Sequence, residues 1–160
     1  LTNAEENLWR SRVVFEAKTW IRTPYQLNQG LKGCGVDCAR FVFEVYRVCK
    51  LIADENIGIF GADWSAHERQ EVYIFRMLRH AHKVAEGISY PTHNWRPGNV
   101  VLVKTNGGRV YDHAGIVSNW PKVIHAAPEY VKEIDASTHW LWASRYLQVF
   151  DPWEKIRSDF

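Results

Sequence analysis

The stretch "HAGIVSNWPKVIHAA", residues 113–127, decides how this chain is read. Its halves, HAGIVS and KVIHAA, are short, apolar and rich in β-branched residues, and the Asn-Trp-Pro between them signals a turn. They read as the two arms of an antiparallel hairpin. A turn centred on Asn119 opposes His113 directly to His125, on one face, with Cβ atoms about 5 Å apart. A loop one residue longer opposes His113 to Ala126 and sends the imidazoles to opposite faces. An imidazole in an apolar strand costs desolvation free energy unless it is hydrogen-bonded. The pair therefore either acts together or is a pair of satisfied core histidines.

Outward from the hairpin the strand period continues. "NVVLVK" (99–104), "YVKEID" (130–135) and "YLQVFD" (146–151) read as further strands, with "TNGG" (105–108) as a turn. Before Pro97-Gly98 the period is helical. From Asn7 to Ile21, Trp9, Val13, Ala17 and Trp20 share one face, and Pro24 ends the element. A second helix is predicted from about Cys38 to Lys50, with Cys38, Val42, Val45 and Cys49 on one side. A third is predicted from about Ala66 to Ala85, opened by the capping box of Ser65 and Glu68 and stopped by Gly87. Helices followed by consecutive short strands predict an α+β fold, N-terminal helices packed on an antiparallel sheet. The length of 160 residues suits a single domain over 1–160.

Composition narrows the function classes. A net charge of +2 is too small to argue for nucleic acid and is compatible with an anionic partner such as a cell wall. No apolar run approaches the roughly 18 residues of a membrane span. The chain starts at Leu1, not Met, which leaves room for an upstream segment such as a signal peptide. The eight tryptophans read as core or as the lining of a groove. Three cysteines cannot all pair within the chain, and the spacing of Cys34, Cys38 and Cys49 matches no common zinc pattern. No metal or cofactor is implied.

The stretch "GCGVDCARFV" (33–42) places a cysteine where a turn becomes a helix. Asp37 is a suitable N-cap, its carboxylate accepting first-turn amides. Cys38 then lies in the first turn, where the helix dipole favours thiolate over thiol. Asp37 opposes that effect unless its charge is spent on capping or on a substrate cation. The rival reading is a small buried cysteine that happens to begin a helix. A thiolate nucleophile needs a base, and the base needs an orienting partner. His67, His80 and His82 fall in the charged third helix, His93 in a loop, and His139 in a polar-to-aromatic connection. Only His113 and His125 lie in apolar strands.

Together "DCARFVFEVYR", "RPGNVVLV", "DHAGIV" and "VIHAAP" resemble the NlpC/P60 family of papain-like cysteine peptidases. The resemblance covers roughly Val14 to Trp153. It implies a papain-like fold, Cys38 as nucleophile, His113 as base and His125 as the residue orienting it. Tyr25, in "TPYQLNQGLKGCGVDC", matches a tyrosine that shapes the site, and Asp37 an aspartate that in many members holds the free amine of a peptide stem. The implied activity is cleavage of an amide in the peptidoglycan stem peptide, between D-glutamate and a diamino acid, at the bacterial cell wall or periplasm. The entry of this chain into the motif is close to phage-encoded members, which implies a virion-associated or secreted role with a phage-tail or secretion-system partner. The order Cys, His, His argues against the permuted relatives that act on lipids. Ala39-Arg40 replaces the usual Ser-Gly, and a helical insert at about 54–87 is larger than in minimal members. These departures leave two alternatives open: an inactive wall-binding or structural module, and an amidase or acyltransferase on the same scaffold.

Overall fold

The computed structural model describes residues 1–54, 56–59, 61, 76–77, 79–105 and 108–158. Helix α1 (Asn3–Thr19) begins with a complete capping box, Thr2 and Glu5 each satisfying the other's backbone N–H. It starts earlier than the apolar stripe alone predicts, because the polar first turn is helical by virtue of that cap. Two short strands, β1 (Gly30–Leu31) and β2 (Gly35–Val36), pair antiparallel and lead into helix α2 (Cys38–Val48). The predicted second helix thus begins where expected and ends two residues early.

The third predicted helix is corrected in part. Residues 62–75 and 78, with its proposed cap at Ser65 and Glu68, lie outside the described residues. Arg76, Met77, Arg79 and His80 are helical, but the chain then forms strand β3 (His82–Ile88). Gly87 sits inside that strand and stops nothing. The insert predicted as helical at about 54–87 therefore ends in a strand that joins the main sheet.

The remaining strands are β4 (Val100–Val103), β5 (His113–Asn119), β6 (Lys122–Ala126), β7 (Val131–Asp135) and β8 (Tyr146–Asp151), followed by helix α3 (Trp153–Ser158). With β3 they form one antiparallel sheet in the order β3-β8-β4-β5-β6-β7. The architecture is α+β, helices on an antiparallel sheet, as predicted.

Both faces of the sheet are covered, which explains why VVLV in β4 reads as a continuous apolar run rather than an alternation. One face, with Val100, Leu102, Ala114, Ile116, Ile124 and Phe150, packs against Val13 and Ala17 of α1 and Phe41, Val42 and Val45 of α2. The opposite face, with Val101, Val103, Val117, Val123, Leu147 and Val149, packs against Trp95, Ala136, Leu141 and Trp142 from two connections. No described helix is long and apolar enough to cross a membrane.

The hairpin register differs from the expectation. Ile116 opposes Ile124 and Val117 opposes Val123, so the ladder centres on residue 120 rather than 119, and it shifts between Val117 and Asn119. His113 and His125 are therefore not direct opposites. The partner of each position moves by two residues, which leaves the facing side chains on the same side of the sheet. The histidines are diagonal neighbours.

Candidate active site

The diagonal contact closes because of Gly115. Continuing the ladder places Gly115 opposite His125, and a Cβ on Gly115 would lie 2.4 Å from Val123 Cγ1, 3.0 Å from the Ile124 carbonyl and 3.3 Å from His125 Cβ. Only a residue without a side chain fits, and β6 settles against β5 there. Diagonal partners normally stand about 7–8 Å apart. Here the two rings meet, with His113 Nε2 and His125 Nδ1 2.8 Å apart and the ring planes at 83°.

Both imidazoles are buried. Burial lowers the His113 pKa from 6.5 to about 4; neighbouring Asp112 opposes the shift and His139 adds to it. His125 is lowered further, by burial first and then by the positive charge that His113 would carry. At neutral pH the pair is uncharged, held by one hydrogen bond rather than by charge.

At the other side of the site α2 presents Cys38 as its first residue. The Cys38 thiol points at the backbone carbonyl of Asp112, with Sγ 3.7 Å from the oxygen, and Asp112 is the residue before His113. The helix start and the strand start meet at this point. Asp112 is itself anchored, its carboxylate accepting from the backbone N–H of Thr105 at 2.7 Å and from the Thr105 hydroxyl at 2.6 Å. The beginning of β5 is thereby tied to the end of the β4 connection.

Asp37 caps α2 as predicted. Oδ1 accepts from Arg40 N at 2.9 Å, while Oδ2 accepts from Asn28 N at 2.8 Å and from the Arg40 guanidinium at 2.6 Å. The carboxylate is 3% exposed. Its charge is spent inside the chain, so it offsets little of the helix-end field felt by Cys38. Arg40, which departs from the family pattern, also donates to the Gly58 carbonyl and so ties Gly58 to α2.

Tyr25 is half-buried and held by its backbone, donating to the Glu129 carbonyl at 3.0 Å and bridging to Val36. Its phenol is pushed upward by burial, then by negative charge on Cys38 and Asp37, which places it within electrostatic reach of both. The five residues singled out by sequence thus gather in two adjoining groups, Tyr25–Asp37–Cys38 and His113–His125. Cys34 is exposed and Cys49 caps the far end of α2, so neither belongs here. Among the described residues no group of three His, Cys, Asp or Glu side chains could hold a metal ion.

Two neighbours were missed by sequence reasoning. The His139 ring lies 5.5 Å from His125, edge-on. Trp142, fully buried, has its ring 5.5 Å from His113 and 5.6 Å from His125. Both come from a connection of turns between β7 and β8 with no periodicity to mark them. The only available signal was the density of aromatic residues in "HWLW".

No protein-family model matches the sequence, and no curated protein is significantly similar to it. Solved structures do match, and they place the chain in a class: it has the fold of NlpC/P60 domains. One match is the NlpC/p60 domain of the peptidoglycan hydrolase SagA, at TM-score 0.52 and 21% identity over 88% of this chain and 97% of that one. A Staphylococcus aureus protein described as similar to lipoprotein, NLP/P60 family, matches at TM-score 0.63 and 14% identity over 91% of this chain but 42% of its own. An N-acetylmuramoyl-L-alanine amidase from Bacteroides uniformis matches at TM-score 0.55 and 12% identity, over 89% and 99% of the two chains.

Proposed function

We propose that this chain is a peptidoglycan hydrolase of the NlpC/P60 kind, a cysteine peptidase acting on an amide of the stem peptide. The observation that carries the reading is the 2.8 Å contact between two buried imidazoles at the start of the strand whose preceding carbonyl meets Cys38 Sγ. In this reading the Cys38 thiol proton passes to His113 Nδ1, the ring nitrogen not engaged by His125. Sulfur attacks the amide carbon, and backbone N–H groups at the start of α2 stabilise the oxyanion. Collapse expels the amine, which takes the proton back from His113, and leaves a thioester on Cys38. Water, deprotonated by His113, then releases the carboxylate and restores the thiol. His125 orients His113, while Tyr25 and Asp37 shape the wall of the site. No cofactor takes part.

The bond favoured is that between D-glutamate and the diamino acid. The likeness to the Bacteroides amidase supports a second reading, cleavage of the bond between muramic acid and L-alanine. Either action places the protein at the bacterial cell wall, delivered with a phage tail or by secretion. Mass analysis of digested peptidoglycan tests the proposal. The first reading predicts fragments ending at D-glutamate; the second predicts free glycan and intact stems. Cys38→Ala should give neither. Fragments that persist in Cys38→Ala would overturn both.

A further inference from the structure

The relay needs one tautomer. A neutral imidazole has one N–H and one bare nitrogen. If His125 carried its proton on Nδ1, it would donate to His113 Nε2, and His113 would carry its own proton on Nδ1. That nitrogen could then accept nothing from Cys38. The contact between the rings is compatible with either arrangement, and so is the buried His125 Nε2, which has no hydrogen-bond partner among the described residues in either case.

Trp142 breaks the tie. Its Nε1 lies 3.3 Å from His125 Nδ1, and an indole nitrogen can only donate. With a proton on Nδ1, two N–H groups would meet head to head in a buried site. With Nδ1 bare, it accepts from Trp142 and from His113 Nε2 together, and His113 Nδ1 is left as the basic nitrogen. The indole is held to this task from several sides. Trp142 N donates to the His139 carbonyl at 2.9 Å, and the Trp142 carbonyl accepts from the Ser89 hydroxyl at 2.7 Å and from Arg145 N at 3.2 Å. Its ring packs into the second core with Val101, Val103, Leu147 and Val149.

We propose that Trp142 is a positioning residue for the histidine relay: its indole N–H on His125 Nδ1 sets the tautomers of both imidazoles and leaves His113 Nδ1 free to take the Cys38 proton. The catalytic meaning of this assignment rests on the function proposed above; the tautomers themselves do not.

Long-range ¹H–¹⁵N NMR of the histidine ring nitrogens, in the full chain at pH 7, reads them directly. The expected spectrum has both rings protonated at Nε2 and bare at Nδ1. His125 protonated at Nδ1 would overturn the proposal. Trp142→Phe keeps the ring and removes the donor. It should give mixed tautomers at both histidines and lower kcat by about 10- to 100-fold at nearly constant KM, less than the ~10⁴-fold loss known when an orienting partner enforces the wrong tautomer. Unchanged tautomers in a folded Trp142→Phe would reduce Trp142 to a space-filling role and also overturn the proposal. Should that variant fail to fold, the wild-type spectrum still decides. Expected tautomers without peptidoglycan cleavage would refute the function and leave the assignment of Trp142 standing; cleavage with reversed tautomers would do the opposite.

Discussion

The two faces of the sheet are buried by different means. The face under α1 and α2 is sealed mainly by aliphatic and aromatic side chains, whose demand is volume and shape, with one buried ion-pair cluster of Glu6, Arg10 and Asp151 where α1 meets the end of β8. The opposite face is sealed by connections that bring tryptophans, and at its β5–β6 end it buries two imidazoles. Volume alone cannot stabilise that end, because each buried ring nitrogen without a partner costs about 1–3 kcal/mol. Away from the Glu6–Arg10–Asp151 cluster the helix-covered face should therefore tolerate conservative change, while the histidine-bearing end should respond to single atoms.

Chemistry should show the largest contrast. In the proposed mechanism His113→Ala removes the base and should lower turnover by at least about 10⁴-fold. His125→Ala keeps the base and should cost about 10²–10⁴-fold, with His125→Asn recovering part of it, since an amide oxygen still accepts from His113 Nε2. Steady-state kinetics on stem-peptide substrates checks the order; equal losses for all three variants would mean that His125 does more than orient.

Stability should show the next contrast. Gly115→Ala must push β6 from β5 and should destabilise by about 3 kcal/mol, at the upper end of overpacking costs. Ile116→Val, one residue on but facing the helices, should cost about 1 kcal/mol. Urea midpoints of the two variants compare the faces directly, and a Gly115→Ala as mild as Ile116→Val would remove the packing argument for the diagonal contact.

A further effect concerns pH. The His113 pKa lies below its unfolded value, about 4 against 6.5, so between these limits the unfolded chain binds a proton that the native chain refuses. Stability is then full above about pH 6.5 and falls as pH drops towards 4, by on the order of 3 kcal/mol from this group. Urea midpoints measured across that window should decline in the wild type and decline less steeply in His113→Asn, where buried His125 still resists protonation.

These contrasts also explain what the sequence disclosed. Strands β4 to β8 were legible because a buried strand needs β-branched residues in short runs, whichever face it packs. The start of α2 was legible because Asp37 has the chemistry of a cap. Strand β3 was not: "HKVAEGI" is a partly exposed edge strand, carries charge and contains good helix formers, so local preference favoured a helix and pairing with β8 overrode it. The register differs because the turn residues are Trp120 and Pro121, with Asn119 opposite Lys122, and the one-residue irregularity between Val117 and Asn119 then centres the ladder on residue 120; nothing in Asn-Trp-Pro marks either feature. The facing of the histidines survived that error because a shift of two residues preserves parity. Arg40 could be read as a departure from a pattern, but its fold-back onto Asp37 depends on a rotamer. Trp142 was out of reach, since a tryptophan in a run of turns has no period to place it.

Peptide-mapped alkylation tests the central claim most directly, that Cys38 is activated by His113. Cys34 is exposed and Cys38 is 8% exposed, so accessibility alone makes Cys34 the faster thiol. The account predicts that limiting iodoacetamide at pH 7 labels Cys38 first in the wild type, and that His113→Ala reverses the order. Cys34 reacting first in the wild type, or Cys38 reacting equally fast without His113, would contradict it.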